Sequence, residues 1–437
     1  MKIKMQLALA FFFILITQTA FATTKPIDIH EAIELTLKNN TMLRSLKQEI
    51  TKAKAFKVQA DGTLLPSLNA SAQVARQKEN ILPSGPELPE LNESKAAIGT
   101  IEQVLYSGGK NSALRRQSSQ KKTIAEMMIA SGENSAIGEL FGRFYNVLLK
   151  NEYIKAEESA VKTSEAHYNR AKNMNKLGLS NKLEVIRAGQ QLATNTANLS
   201  RAKGNHEAAE IALMNYMAIE PKNRRTVSGD LTALNVIGDR NNSLLSATEY
   251  RADRIQLQEQ LKYQENQLFI EKSGLMPKLL LAGEAGWNHP NSRKDITGDT
   301  WKAQLTVAVP IFDRFITKGN LMTARATLEQ NKLALEQKEL DIKSEVETAW
   351  TSIETSSFSL KASKKALELA EESLRLAQVG YEEGVTPQID LLTAQTALTS
   401  AKLDYATTQY NHLMTIVALK MTEGTIVKWS GEKNFNE

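Results

Sequence analysis

The chain has 437 residues and sets 54 Lys and Arg against 49 Asp and Glu, a formal charge of only +5. That balance argues against a nucleic-acid partner. It contains no cysteine, so an exported protein of this composition must hold together by packing or assembly rather than by disulfides. The five histidines (30, 167, 206, 289 and 412) lack ligand spacing, G-x-S-x-G is absent, and Gly109-Lys110 lacks the rest of a phosphate-binding loop. The sequence therefore predicts neither an enzyme nor a cofactor or metal site.

Residues 1–22 read as a signal peptide. Lys2 and Lys4 precede an apolar core at 6–16, and Ala20-Phe21-Ala22 supplies the small-x-small cleavage pattern. The apolar run is too short to span ~30 Å of hydrocarbon, and no cysteine follows it to carry a lipid. No later apolar run is long enough for a membrane helix, so any contact with a membrane must come through strands or docking.

A helix is expected over 28–60, stopped near Pro66, which cannot continue it. Leu68, Ala70, Ala72 and Val74 then alternate with polar residues, a turn-rich stretch covers 79–95, and a second alternating run covers 97–106. The proline-free stretch 111–176 carries Ile137, Leu140, Phe141, Phe144, Val147 and Leu148 at helical spacing. At ~1.5 Å per residue it predicts a helix of roughly 100 Å, coiled-coil-like in length. Gly178 breaks it, Ser180 is placed to cap a returning helix, and that helix should run over 181–218. Residues 219–247, with Pro221, Gly229-Asp230-Leu231 and Asn241-Asn242, read as a small packed belt.

The same order is then written again. Residues 248–274 predict a helix ended near Pro277, followed by alternating segments around a polar stretch at 289–299 and a run over 301–312. A long helix follows, broken at Gly384, with Thr386 placed as a cap and Pro387 as the first residue of a returning helix over 387–421. LLPSLNASAQ at 64–73 matches LMPKLLLAGE at 275–284, and LGLSNKLEV at 177–185 matches EGVTPQIDL at 383–391. Tyr106 to Gly178 and Phe312 to Gly384 are equally spaced, as a rigid element of fixed length requires. The organisation is thus a signal peptide (1–22), a first repeat (23–218), a belt (219–247), a second repeat (248–424) and a polar tail (425–437). Tyr106, Trp287, Trp301 and Phe312 gather at strand ends, as in the aromatic girdle of a membrane barrel. Four strands fall short of the ~8 that close a barrel, and open edges are not tolerated in lipid. Such a chain must oligomerise.

Over essentially all of its mature length the chain resembles the TolC family of outer-membrane efflux proteins. The resemblance rests on Ala32-Ile33 to Asn39-Asn40, LLPSL at 64–68, VLYSGGK at 104–110, LGLS at 177–180, VPIFD at 309–313 and GVTPQIDLLTAQTAL at 384–398. It implies a mainly helical protein with some β structure. Two repeated helical hairpins would form a periplasmic α-barrel, and four strands per chain would join a 12-stranded β-barrel in the outer membrane of a homotrimer. Its partners would be outer-membrane lipid, a periplasmic adaptor (membrane fusion protein) and an inner-membrane transporter, in drug efflux, type I secretion or metal export. One departure is visible. Gly108-Gly109 has no counterpart in the second half, where Arg314-Phe315 stands, and a differently built turn is expected there.

The resemblance also implies site residues. The pore constriction would carry an acidic ring at Asp390, with Thr393 where a second acid is common. Tyr381 would be latched to Glu184, and Thr386 stands in place of the family's basic latch residue, leaving Arg187 as a substitute. The tips Gly178-Leu179-Ser180 and Gly384-Val385-Thr386 would dock the adaptor. The competing readings are a coiled-coil adaptor, disfavoured by the duplication, and a structural fibre protein, which needs no paired strands. Arg115, Arg116, Lys121 and Lys122 read as solvated helix faces.

Overall fold

The computed structural model describes residues 26–78, 91–231, 238–289 and 298–431. The expected signal peptide, most of the two turn-rich segments and the last residues of the tail lie outside these. In chain order the elements are α1 (Ile29–Asn39), α2 (Thr41–Leu46), α3 (Gln48–Gly62), β1 (Ser67–Lys78), β2 (Leu91–Ser107), α4 (Lys110–Lys176) and α5 (Lys182–Tyr216). The second half follows with α6 (Arg240–Tyr250), α7 (Ala252–Lys272), β3 (Lys278–His289), β4 (Gly298–Ala308), α8 (Ile316–Glu382), α9 (Gln388–Thr422) and the short α10 (Ile426–Ser430). The long helices α4 and α8 have 67 residues each, and the returning helices α5 and α9 have 35 each. The equal spacing in the sequence is therefore equal helix length.

Three expectations about where helices lie need correcting. The helix expected over 28–60 is three helices, because the Asn40 side chain accepts from the backbone N–H of Met42 and Leu43 and starts a new one. Asn241 and Asn242 are not a turn in the belt but the first turn of α6, whose N-cap is Asp239. Part of the expected polar tail is α10, with Ile426 and Ser430 buried.

The chain divides into two compact units. One comprises residues 37–139, 234–358 and 412–437 and contains the sheet. Its four strands are antiparallel in the order β1-β2-β3-β4. Register sorts their side chains by face. Leu68 lies opposite Ile101, Leu281 opposite Leu305, Leu279 opposite Val307, and Ala285 opposite Trp301. On the other face Asn69 lies opposite Thr100, Thr100 opposite Glu284, and Glu284 opposite Lys302. The apolar face is bare: Leu68 is 76% and Trp301 82% exposed. A sheet that is apolar on its open face and polar on the other is built for lipid outside and water inside.

In the same unit Ala247 of α6 packs with Ile342 and Val346 of α8, and Ala349 and Ile353 of α8 pack with Leu419 of α9. Arginines from around and within α6 and α7 reach acids of α8. Arg240 bonds Glu347 and Glu354, Arg251 pairs with Glu345, and Arg254 bonds Glu339. Buried Glu423 accepts from Ser243, Lys420 and Thr425.

The connection from β4 to α8 is longer than that from β2 to α4, since β4 ends at Ala308 whereas β2 continues to Ser107, but both end on the same pair of left-handed residues. Gly108 and Gly109 have φ of 63° and 83°; Arg314 and Phe315 have φ of 58° and 64°. The second half adopts the same left-handed pair without glycine. The ring of Phe315 meets that of Phe312 edge-on at 5.4 Å, and the Asp313 carboxylate accepts from the Thr317 N–H at 2.8 Å. In the first half glycine is required for space as well as for φ. A Cβ on Gly108 would lie 2.5 Å from that of Met276.

The other unit comprises residues up to 36, 140–233 and 359–411. Phe141 and Phe144 of α4 are fully buried in it. The belt packs on that helix. Gly229 approaches Leu148 and Phe144, and Ile27 forms a parallel bridge with Val227. Burial, then the charge of Asp230, pushes the Tyr145 hydroxyl up to about 12.

Candidate functional site: the hairpin tips

Both tips are C-terminal helix caps of one design. After α4, the N–H of Leu179 donates to Met174 and that of Gly178 to Asn175; after α8, the N–H of Val385 donates to Gly380 and that of Gly384 to Tyr381. This pattern needs a left-handed residue just past the helix, and Gly178 and Gly384 supply it at φ of 74° and 76°. The N-cap of α5 is not Ser180 but Asn181, whose side chain accepts from the Glu184 N–H at 3.0 Å. Ser180 instead accepts from the Asn175 side chain and donates to Ala171. In the second tip Thr386 is folded against Gly380, where a Cβ would meet its hydroxyl at 2.1 Å. The two turns leave apolar side chains bare: Leu177 is 71%, Leu179 67% and Val385 76% exposed.

Asp390 lies in the first turn of α9 and is exposed, as are Thr393 and Ala397 on the same stripe. Leu391, Leu392 and Ala394 on the opposite face are buried. The helix thus packs through one side and presents Asp390 on the other.

The expected partners of Tyr381 are rearranged. Among the described residues its hydroxyl makes no hydrogen bond to Glu184, although burial, then the Glu184 charge, pushes it above its ordinary value, opposed by Arg170. The nearby cation is Arg170 of α4, not Arg187. Its guanidinium lies 5.9 Å from the centre of the Tyr381 ring and pairs with Glu382 at 2.9 Å. His167, one turn earlier, meets the Tyr381 ring edge-on at 6.5 Å. Burial holds its imidazole below the usual value, Arg170 adds to that effect, and Glu382 opposes it. The Gln388 side chain donates to the Glu184 carbonyl at 3.0 Å and ties the starts of α5 and α9 together. Sequence reasoning missed His167 and Arg170. Their i, i+3 spacing about two turns before Gly178 was the available signal.

Among the described residues there is no group of three acids or histidines placed to hold a metal, and no helix is long and apolar enough to cross a membrane.

The family model for outer membrane efflux proteins matches residues 32–218 and 252–425. The chain belongs to that family, and it is an outer-membrane efflux protein. The family's members are channels rather than enzymes. Similar solved structures include the outer membrane channel CmeC of Campylobacter jejuni, at 18% identity and TM-score 0.79, covering 91% of this chain and 86% of that one. VceC of Vibrio cholerae matches at 16% and 0.76 over 91% and 96%. MtrE of Neisseria gonorrhoeae, solved in an open state, matches at 20% and 0.74 over 91% and 89%. At these identities they speak to fold. No curated protein matches the sequence.

Proposed function

We propose that three copies assemble into a 12-stranded barrel on an α-helical tunnel. The tunnel conducts substrates passively from an inner-membrane transporter joined through a periplasmic adaptor. The observation that carries this reading is the amphipathic four-stranded sheet, which leaves β1 and β4 each with one edge unpaired within the chain. In lipid those edges require neighbours, and joining β4 of one copy to β1 of the next satisfies them. The expected consequence is a trimer on unheated gels that dissociates on boiling. A monomer in extracted membranes would refute the assembly.

At the periplasmic end, the bare Leu177, Leu179 and Val385 support docking of the adaptor at both tips, and Asp390 supplies three carboxylates to the constriction. Rings of carboxylate favour cations, so Asp390→Ala is expected to lower cation selectivity. An unchanged reversal potential under a salt gradient rejects the ring. Leu179→Asp with Val385→Asp is expected to abolish cross-linking to the adaptor while leaving the trimer intact.

A further inference from the structure

Several basic residues of α3 and α4 gather around one cavity. A cavity of about 610 Å³ lies between the end of α3 and the start of α4. Five cations line it, Lys54, Lys57, Arg115, Arg116 and Lys122, against a single acid, Asp61. Asp61 is already engaged by Lys57 at 2.8 Å and Arg115 at 3.2 Å, and those contacts hold its carboxyl below the usual range. Arg116 lies over the Phe269 ring and donates to Asn266, and Lys122 makes a long, exposed pair with Glu126 at 3.5 Å. Lys54 has no ion pair among the described residues. In a chain whose charge is nearly even, this is a marked local excess.

Position identifies what the excess faces. The groove is built from the last turns before β1 and the first turns after β2, at the junction of the helices with the membrane sheet. Its lining also reaches the apolar face of that sheet. Gln103 lies opposite Leu281 and so on the apolar face, and its side chain donates to the carbonyl of Leu64 at 3.0 Å. Leu64 lines the groove, and exposed Leu65 and Leu68 continue from it toward the apolar face. The seam also lies inside one copy. Helices α3, α4 and α7 follow the order of the strands they adjoin, since α4 contacts α3 through Arg115 and α7 through Gln117. The edges open to other copies belong to β1 and β4.

We infer that this groove binds the headgroup of an anionic phospholipid in the periplasmic leaflet, with the phosphate among the cations and an acyl chain along Leu64, Leu65 and Leu68. The inference rests on the membrane sheet and not on the trimer or the adaptor. Basic clusters at a membrane boundary recognise anionic lipid in this way.

The test is native mass spectrometry and thermal unfolding of the purified mature protein. It is compared in phosphatidylethanolamine alone, with added phosphatidylglycerol, and with inorganic phosphate instead. Phosphatidylglycerol should stay bound and raise the unfolding temperature. Lys54→Gln with Lys122→Gln should weaken its binding by about fivefold per removed cation, whereas the charge-matched Lys343→Gln with Lys364→Gln should not. Both variants replace exposed side chains, and circular dichroism checks their fold. Equal retention of the two lipids overturns the inference, as does an unchanged preference in the groove variant. An equal temperature shift from inorganic phosphate alone would reassign the groove to free anions and overturn the lipid assignment.

Discussion

Arg170→Gln tests how the two hairpins of one chain are held at their tips. Arg170 makes two contacts across from α4 to α8, the ion pair with Glu382 and the approach to the Tyr381 ring. The pair is 42% and 45% exposed, so solvent screening limits it to about 0.2–1 kcal/mol. The cation–ring contact adds about 0.5–1 kcal/mol at such a site. Loss of both is worth about 1–2 kcal/mol, or ~5–30-fold in the equilibrium between packed and splayed tips in each chain. The variant should show a higher open probability in planar bilayers, and cells carrying it should admit large antibiotics that the native channel excludes. Salt sharpens the test. At 1 M the Debye length is about 3 Å, so native protein should drift toward the variant while the ring contact persists. Glu382→Gln should reproduce only the salt-sensitive part. If Arg170→Gln folds, assembles and conducts like the native channel at low salt, the tip lock is not energetic and the reasoning fails.

His167 gives the lock a pH dependence. Its folded value lies below the ordinary 6.5, so packed tips favour the neutral ring. That stabilisation is complete above pH 6.5 and is lost as the pH falls below it. Open probability should rise as the pH falls below 6.5, and His167→Gln should flatten the rise. Gly108→Ala should cost about 2–5 kcal/mol, combining left-handed backbone strain with the overlap on Met276. Phe315→Gly should change stability by less than about 1 kcal/mol, because relieved strain is offset by chain entropy and the lost ring contact. Heat stability of the folded protein on unheated gels distinguishes the two. Asp253 is held at about 2: burial raises it, but bonds from Arg251 and Lys338 outweigh that effect. The contribution is present above pH 3.8 and lost as the pH falls toward 2. Asp253→Asn should remove about 2 kcal/mol at neutral pH and flatten the acid limb of the unfolding profile.

What could be read from the sequence was whatever repeats along the chain. Helix lengths, the tip glycines and strand alternation are periodic or recur between halves, so one line of text constrains them twice. Side-chain partners do not repeat. Arg170 meets Glu382, more than 200 positions away, and no local pattern announces that pairing. Asn181 displaced Ser180 as the cap because either residue type can serve, and only the backbone at Asn181, with ψ at 160°, decides between them. Arg314-Phe315 misled for a related reason. Glycine signals a left-handed backbone reliably, but its absence does not exclude one where the side chains point into open space.

That turn also shows how the halves have diverged around a shared left-handed pair. The first half keeps glycine where Met276 and Phe269 press on the backbone. In the second half Phe312, Arg314 and Phe315 are exposed, so strain of about 1–2 kcal/mol per residue is met only by local contacts. Charge is distributed unequally as well. Three arginines bind α8 along Glu339, Glu345, Glu347 and Glu354, whereas among the described residues α4 shows one comparable pair with α3, Arg115 to Asp61. Ion pairs weaken with salt and hydrophobic packing does not. Rising ionic strength should therefore loosen the second long helix before the first. Hydrogen exchange at 339–354, compared with the sequence-equivalent part of α4 in low and high salt, measures that asymmetry directly. Equal loss of protection in both helices would show that packing alone, common to the two repeats, sets their rigidity.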